Sequence, residues 1–220
     1  MSILNQAPVA ALLDRLFEEA EAGMAPVREE FSRLSGEEQA ALLGSRTGYV
    51  DFYRRMKDVA LPVSREDGTL LYMLAHATRA TSIVEFGMSF GISTIYLASA
   101  LRDNGGGRLI TSEFEPSKVA RGRANIDAAG LLDLVDIREG DALDTLGRDL
   151  PGSIDLLFLD GAKGLYLDIL ALVRERLRPG ALIVADNADM ASAYVDHIRS
   201  QPSRYLSLRL GEAELSIHLP

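Results

Sequence analysis

From Ser82 onward, the sequence alternates between short apolar runs and helical patterns, and this alternation limits the folds open to the chain. Strands are predicted at residues 82–86, 108–113, 134–138, 154–159 and 181–185. Helices are predicted between them at residues 92–101, 117–129 and 165–177. Because parallel strands need crossovers between them, the pattern predicts a parallel sheet with helices on both faces. In such sheets, ligands bind at the carboxyl ends of the strands.

The two ends of the chain depart from this alternation. Near the C-terminus, residues 205–210 and 214–219 are predicted to form an antiparallel hairpin, since they are separated by a short turn that contains Gly211. The N-terminal part is predicted to be helical. We therefore expect a helical extension at residues 1–60 and a sheet-containing domain at residues 61–220.

Apolar residues at helical spacing define the predicted N-terminal helices. One amphipathic helix is predicted from Val9 to Ala20, and Gly23 and Pro26 are expected to interrupt it. A second helix is predicted over residues 35–43. A third carries an apolar stripe formed by Tyr49, Phe52, Tyr53 and Met56. This stripe is a candidate lid over a binding site, and the alternative is core packing or a dimer interface.

Charge and composition narrow the classes of function. The chain has 23 Lys and Arg against 32 Asp and Glu, a formal net charge of −9, which argues against a nucleic-acid partner. The absence of cysteine excludes disulfides, thiolate zinc sites and cysteine nucleophiles. No apolar run approaches the roughly 18 residues of a membrane span, and the first residues lack a signal-peptide pattern. We expect a cytoplasmic, single-domain enzyme or binding protein with no nucleic-acid or membrane partner.

A turn with two glycines follows the first predicted strand. Gly87 and Gly91 frame this turn, which lets a ligand approach the backbone, and the next helix offers free N–H groups to an anion. The second strand ends at Glu113, where a carboxylate can accept hydrogen bonds from both hydroxyls of a ribose. The pattern favours a nucleotide site, and a plain strand-to-helix turn is the alternative. The third glycine of the dinucleotide fingerprint is missing.

Polar residues follow the next two buried strands. Asp160 ends one of them, with Lys163 shortly after it, and Asp186 and Asn187 end the next. Adjacent parallel strands bring these side chains to one edge of the sheet, where two carboxylates and an amide oxygen suit Mg²⁺. Lys163 is close enough in sequence to act as a base at the same place. Helix capping by Asp160 and turn chemistry at residues 186–187 are the alternatives.

Together these segments resemble the cation-dependent O-methyltransferases, class I S-adenosylmethionine-dependent enzymes that include catechol and caffeoyl-coenzyme A O-methyltransferases. The resemblance runs from about Leu61 to Asn187, over residues 62–68, 84–94, 109–113, 140–142, 159–166 and 185–187. It implies an α/β, Rossmann-like fold. The implied architecture is a doubly wound, mostly parallel seven-stranded sheet with an antiparallel C-terminal strand, plus N-terminal helices.

The resemblance also implies cofactors, residue roles and a reaction. The cofactors would be S-adenosylmethionine and Mg²⁺ or another divalent cation. The positions that match the cofactor site are Val63, Glu85, Gly87, Ser89, Gly91, Ser93, Glu113, Phe114, Asp141, Ala142 and Asp160. The metal ligands fall on Asp160, Asp186 and Asn187, and the catalytic lysine falls on Lys163. The implied reaction methylates a hydroxyl of a small catechol-like acceptor, and a homodimer is implied as well.

Two departures from the family pattern keep other functions open. Many bacterial members carry an aspartate where this chain has Ala162, and only 33 residues follow Asn187, so the region that shapes the acceptor site is short. The first alternative is a methyltransferase for an amine, a carboxylate or a non-catechol hydroxyl, with or without a metal. An NAD-linked oxidoreductase and a sensor of S-adenosylmethionine without chemistry are the others.

Overall fold

A seven-stranded sheet forms the centre of the computed structural model, which describes residues 2–32, 35 and 49–220. Its strands are β1 (Ser82–Phe86), β2 (Arg108–Glu113), β3 (Val135–Glu139), β4 (Ile154–Leu159), β5 (Leu177–Ala185), β6 (Tyr205–Leu210) and β7 (Ala213–His218). They lie in the order β3-β2-β1-β4-β5-β7-β6. Within this sheet β1 to β5 are parallel, and β7 runs antiparallel to β5 and β6. The predicted mostly parallel sheet with an antiparallel C-terminal strand is therefore confirmed.

Helices cover both faces of the sheet. They are α1 (Val9–Ser32), α2 (Tyr49–Arg55), α3 (Arg65–Ala77), α4 (Ile92–Asp103), α5 (Pro116–Ala128), α6 (Ala142–Thr145), α7 (Tyr166–Val173) and α8 (Ser192–Arg199). Short 3₁₀ turns lie at Ile3–Asn5, Leu132–Leu134, Lys163–Leu165, Arg174–Arg176 and Ala188–Met190. None of the helices in the described ranges is long and apolar enough to cross a bilayer.

The period-two alternation of the strands divides the core in two. Ile83 packs with α1, α3, α4 and α5 on one face, whereas its neighbour Val84 packs with α6, α7 and α8 on the other. Both residues are fully buried. Because β1 and β4 are the central strands and the strand order changes direction between them, their carboxyl ends form the crevice in which ligands of such sheets bind.

Most predicted elements are confirmed, including β1, β2 and β4 at their predicted bounds and the C-terminal hairpin. The predicted interruption of the first helix was wrong, because α1 continues through Gly23 and Pro26 to Ser32. The loss of one backbone hydrogen bond at a proline and the weak helix propensity of glycine do not end a 24-residue helix here. The helix predicted over residues 35–43 lies outside the described residues.

The helix predicted to run from Leu165 to Leu177 was too long. α7 ends at Val173, and Leu177 already pairs with Ile154 as the first residue of β5. The strand therefore includes Pro179, although proline is rare inside strands because it has no N–H to donate. A register shift between Ile154 and Leu156 accommodates it, as bulges commonly do.

The N-terminal helix packs into the same core as the sheet. Its apolar face, formed by Val9, Leu12, Leu13 and Leu16, is at most 6% exposed. These side chains belong to the cluster that also holds α4 and β1. Ion pairs from Arg65 to Asp14, at 2.9 Å, and from Arg121 to Glu19, at 2.7 Å, join α1 to α3 and α5. Hydrophobic burial therefore makes α1 part of the folded unit.

Truncation of a buried α1 side chain should destabilise the whole protein. We expect Leu13→Ala to lower the free energy of unfolding by about 2–4 kcal/mol, because it leaves a cavity in the shared core. Glu21→Ala, at an exposed position of the same helix, should change it by less than about 0.5 kcal/mol. Chemical denaturation followed by circular dichroism measures both. Two separate transitions, with only the first one shifted, would show instead that α1 unfolds independently.

Candidate active site

A pocket lies at the carboxyl ends of β1, β2, β3 and β4, and we call it the main pocket. It holds about 660 Å³ of space, including its solvent-facing mouth. Its wall includes seven of the predicted cofactor residues: Gly87, Ser89, Glu113, Phe114, Asp141, Ala142 and Asp160. Each strand end contributes, because parallel strands present their carboxyl ends at the same edge. The structure therefore brings together residues that lie far apart in the sequence.

The turn after β1 depends on a close approach of two backbones. Gly87 has φ +98°, and a Cβ atom there would lie 2.8 Å from the backbone carbon and oxygen of Asp160. In addition, the backbone N–H of Asp160 donates to the carbonyl of Phe86 at 2.8 Å. Gly91 caps α4 with φ +85°. A side chain at Gly87 would force the ends of β1 and β4 apart, so glycine is required at this position.

Glu113 is held by the backbone at the edge of the main pocket. Its Oε2 accepts from the N–H of Ser89 at 2.9 Å, and its Oε1 accepts from the N–H of Glu115 at 3.0 Å. Burial raises the pKa of Glu113, while the Glu115 N–H and the ammonium of Lys118 oppose that rise. Because each carboxylate oxygen can accept more than one hydrogen bond, both retain capacity for ligand hydroxyls.

Four predicted cofactor residues do not line the main pocket: Val63, Glu85, Gly91 and Ser93. Glu85 is fully buried, and it accepts hydrogen bonds from the hydroxyls of Ser93 and Thr94, both at 2.6 Å. These contacts fix the first turn of α4 to β1. Ser93 also borders a smaller cavity beside Ser89, and Val63 is buried at 3% exposure. Glu85 and Ser93 thus form a buried pair behind the pocket wall, and Val63 belongs to the hydrophobic core.

A cluster of polar side chains adjoins the main pocket, and we call it the polar centre: Asp160, Lys163, Tyr166 and Asp186. Lys163 Nζ donates to Asp160 Oδ1 at 3.1 Å and to Tyr166 Oη at 2.8 Å. Lys163 is 6% exposed. The strand ends meet here, because the N–H of Asp186 donates to the carbonyl of Leu159 at 2.9 Å.

Burial and a neighbouring carboxylate perturb Asp160. Burial raises the pKa of Asp160 to about 7, and the carboxylate of Asp186 contributes to the rise, while Lys163 opposes it. Two neighbouring carboxylates in a partly buried site repel each other, so a cation placed between them would be stabilising. Lys163 supplies part of that positive charge.

The predicted metal ligands form a donor set that suits a hard cation. Asp160 and Asp186 supply carboxylate oxygens, and the Nδ2 of Asn187 donates to Glu212 Oε2 at 3.3 Å, which leaves the amide oxygen of Asn187 for a cation. Asn187 is held in the left-handed conformation, with φ 43°. In the described ranges no three His, Cys, Asp or Glu side chains form a metal-binding group. The fit therefore depends on the amide, which hard divalent cations accept.

Sequence reasoning gave no role to several residues of the pocket wall, among them Lys118 and Glu115, and it named Tyr53 only as part of the aromatic stripe. Lys118 is 2% exposed, and it lies close to Glu113. Glu115 also lines the pocket. Tyr53, from the aromatic stripe, reaches the same wall and meets Phe114 edge-on at 6.4 Å between ring centres. Met56 is buried instead. The spacing of Lys118 from Glu113 could have marked it, since both flank the start of α5.

Comparison with known proteins shows which proteins have similar sequences. A family model described as a methyltransferase domain matches residues 84–188. The chain is 39% identical to the catechol O-methyltransferase of Niastella koreensis over 147 residues, which cover 66% of this chain and 66% of that protein. It is 30% identical to the catechol O-methyltransferase of Sus scrofa over 152 residues, covering 65% of this chain and 80% of that protein. The match thus spans just under two thirds of the length of the Niastella enzyme.

A solved structure extends the similarity over nearly the whole chain. The O-methyltransferase TomG from Streptomyces achromogenes, in complex with S-adenosylmethionine, superposes with a TM-score of 0.66 at 25% sequence identity. The superposition covers 92% of this chain and 99% of that one. The sheet, its helices and the edge that bears the main pocket therefore belong to a known architecture.

Stability should depend on pH through Asp160. The folded chain holds a proton on this carboxyl up to about pH 7, and the unfolded chain only up to about pH 4. The native state therefore binds more protons between these values, and stability falls as pH rises through them. In EDTA, we expect the free energy of unfolding of Asp160→Asn to rise relative to wild type by about 2–4 kcal/mol from pH 4 to pH 7.

Urea unfolding at a series of pH values measures this difference. Glu139→Gln, at the exposed end of β3, controls for the loss of one charge far from the polar centre. A difference between Asp160→Asn and wild type that stays constant across this range would contradict the perturbed carboxyl.

Proposed function

Because the chain belongs to the class I S-adenosylmethionine-dependent O-methyltransferase family, we propose that it transfers a methyl group from S-adenosylmethionine to a hydroxyl of a small catechol-like acceptor, assisted by a divalent cation. One observation carries this proposal. The polar centre combines Asp160, Asp186 and Lys163 beside a pocket at the switch point of the sheet. A protein that only binds a nucleotide has no use for two close carboxylates and a lysine at that place.

The main pocket is proposed to hold the methyl donor. Glu113 would accept hydrogen bonds from ribose hydroxyls, since its backbone contacts fix its orientation without using all of its lone pairs. Asp141 and Ala142 would border the base. When bound, S-adenosylmethionine supplies an electrophilic methyl group: a C–O bond to the acceptor forms as the C–S bond breaks, and the bonding pair stays on sulfur.

Asp160, Asp186 and Asn187 are proposed to hold the cation. Bound there, a divalent cation would make a hydroxyl of the acceptor more acidic. Lys163 in its amine form would take the proton of that hydroxyl, and Asp160 would stabilise the ammonium that results. Most of the rate enhancement would come from positioning and from charge stabilisation in a site with little water.

The helical extension at residues 1–60 is proposed to complete the acceptor side of the site, while residues 61–220 form the catalytic domain. Tyr53 supports this division, because it reaches from α2 to the pocket wall that includes Asp160, and burial and the Asp160 carboxylate raise its pKa. Aromatic rings at this position suit a planar acceptor.

Methyl transfer to a small catechol panel tests the proposed function directly. With S-adenosylmethionine and Mg²⁺, we expect methylated product detectable by mass spectrometry, and with EDTA none. Lys163→Ala should lose turnover and keep its affinity for S-adenosylmethionine. Transfer that is equal with and without EDTA would contradict the role of the cation. No transfer by protein that binds S-adenosylmethionine would point to an amine, carboxylate or other hydroxyl as acceptor.

Loss of the Glu113 carboxylate should weaken binding of the methyl donor. We expect Glu113→Ala to reduce the binding free energy of S-adenosylmethionine by about 1.5–3 kcal/mol, the value of hydrogen bonds to a charged group. Isothermal titration calorimetry measures this change. Glu139→Ala, an exposed carboxylate outside the main pocket, should leave the affinity unchanged. Unaltered affinity in Glu113→Ala would remove this residue from the donor site.

A further inference from the structure

The hydroxyl of Tyr166 bridges two parts of the polar centre. It donates to the backbone carbonyl of Asp186 at 2.8 Å and accepts from Lys163 Nζ at 2.8 Å. A phenol has one proton to donate. Because this proton is committed to the Asp186 carbonyl, the oxygen can only accept from Lys163. The direction of the second hydrogen bond is therefore fixed by the first.

Packing holds the Tyr166 ring in place. The side chain is fully buried. Its ring meets Phe86 edge-on at 6.3 Å and Tyr194 edge-on at 5.7 Å between centres. Phe86 belongs to β1 and Tyr194 to α8, so two separate elements limit rotation of the ring. The hydroxyl oxygen is consequently a fixed point to which a flexible lysine can be tied.

The nitrogen of Lys163 has three bonding directions besides its bond to carbon, and two of them are occupied by hydrogen bonds. Asp160 Oδ1 at 3.1 Å takes one position and Tyr166 Oη takes another. With both hydrogen bonds kept, the nitrogen has a single remaining position that is free for a ligand. The direction of that position is then set by the protein and not by rotation of the side chain.

We propose that Tyr166 is a positioning residue, whose hydroxyl orients Lys163 by linking it to the end of β5. The proposal rests on the proposed function, since it assigns to Lys163 the acceptance of a proton from the acceptor. Tyr166 itself takes no part in bond making. Without its hydroxyl, the lysine keeps the contact with the Tyr166 ring, at 5.2 Å from its centre, but only Asp160 as a hydrogen-bond partner within the polar centre, and it can rotate about its terminal bonds.

Two phenylalanine variants separate this role from simple packing. Tyr166→Phe keeps the ring and removes the hydroxyl. Tyr205→Phe is the matched control: Tyr205 is 3% exposed, lies in the same hydrophobic cluster, and its hydroxyl has no hydrogen-bond partner among the described residues. Thermal melts followed by circular dichroism establish that both variants are folded before any comparison.

Steady-state kinetics with S-adenosylmethionine and a catechol give the first readout. We expect Tyr166→Phe to lower kcat by about 10- to 100-fold, as loss of residues that orient a reactive group commonly does. KM for both substrates should stay within about two-fold of wild type, because Tyr166 does not line the main pocket and acts only through Lys163. Tyr205→Phe should match wild type. An unchanged kcat in Tyr166→Phe, or a loss confined to KM, would overturn the proposal.

A second readout does not depend on activity. The lysines of the chain are Lys57, Lys118 and Lys163, so NMR of protein labelled with ¹³C-lysine gives a simple spectrum, which Lys163→Arg assigns. In wild type, the two Hε protons of Lys163 should have distinct shifts, because the side chain is held. They should converge in Tyr166→Phe and stay distinct in Tyr205→Phe. Distinct shifts in Tyr166→Phe would overturn the proposal, whereas absent transferase activity in wild type would overturn only the proposed function.

Discussion

The contact between the ends of β1 and β4 is the constraint on which the site depends. Gly87 lies so close to the backbone of Asp160 that no side chain fits between them. This contact places the glycine turn next to the polar centre. The same turn binds Glu113 through the N–H of Ser89. The strand order changes direction at the same point, which opens the crevice beside it. Backbone sterics therefore decide where binding and chemistry can meet.

The charged side chains of the polar centre determine which chemistry this edge of the sheet can support. Burial and repulsion from the Asp186 carboxylate raise the pKa of Asp160, and Lys163 compensates only in part. A core that served stability alone would replace such a group by apolar side chains, because buried ion pairs rarely repay their desolvation. Maintaining it requires the hydrogen bonds of Tyr166 and the backbone contacts between β4 and β5. The cost in stability is consistent with a site built for reaction.

The sequence was sufficient to predict the elements that depend on local patterns. The apolar run of β4 and the glycine turn at Gly87 could be recognised from the sequence. A buried strand requires apolar residues, and a positive φ angle favours glycine. The approach of Asp160 and Asp186 followed from adjacency of parallel strands. The continuation of α1 past Pro26 could not be predicted, since buried contacts along the first turns of the helix outweigh local propensity. Strand pairing likewise decided that Leu177 belongs to β5.

Side chains that meet across elements were the other part that sequence could not supply. Glu85 pairs with Ser93 behind the wall of the main pocket, although both residues match cofactor positions. Tyr53 reaches the pocket from a helix outside the sheet. Both contacts depend on how the helices pack against the sheet, and residue spacing alone does not predict this packing. If α2 completes the acceptor side, as proposed, Tyr53 and the strand ends together determine which acceptor enters, so acceptor choice can change in the N-terminal helices without any change at Asp160.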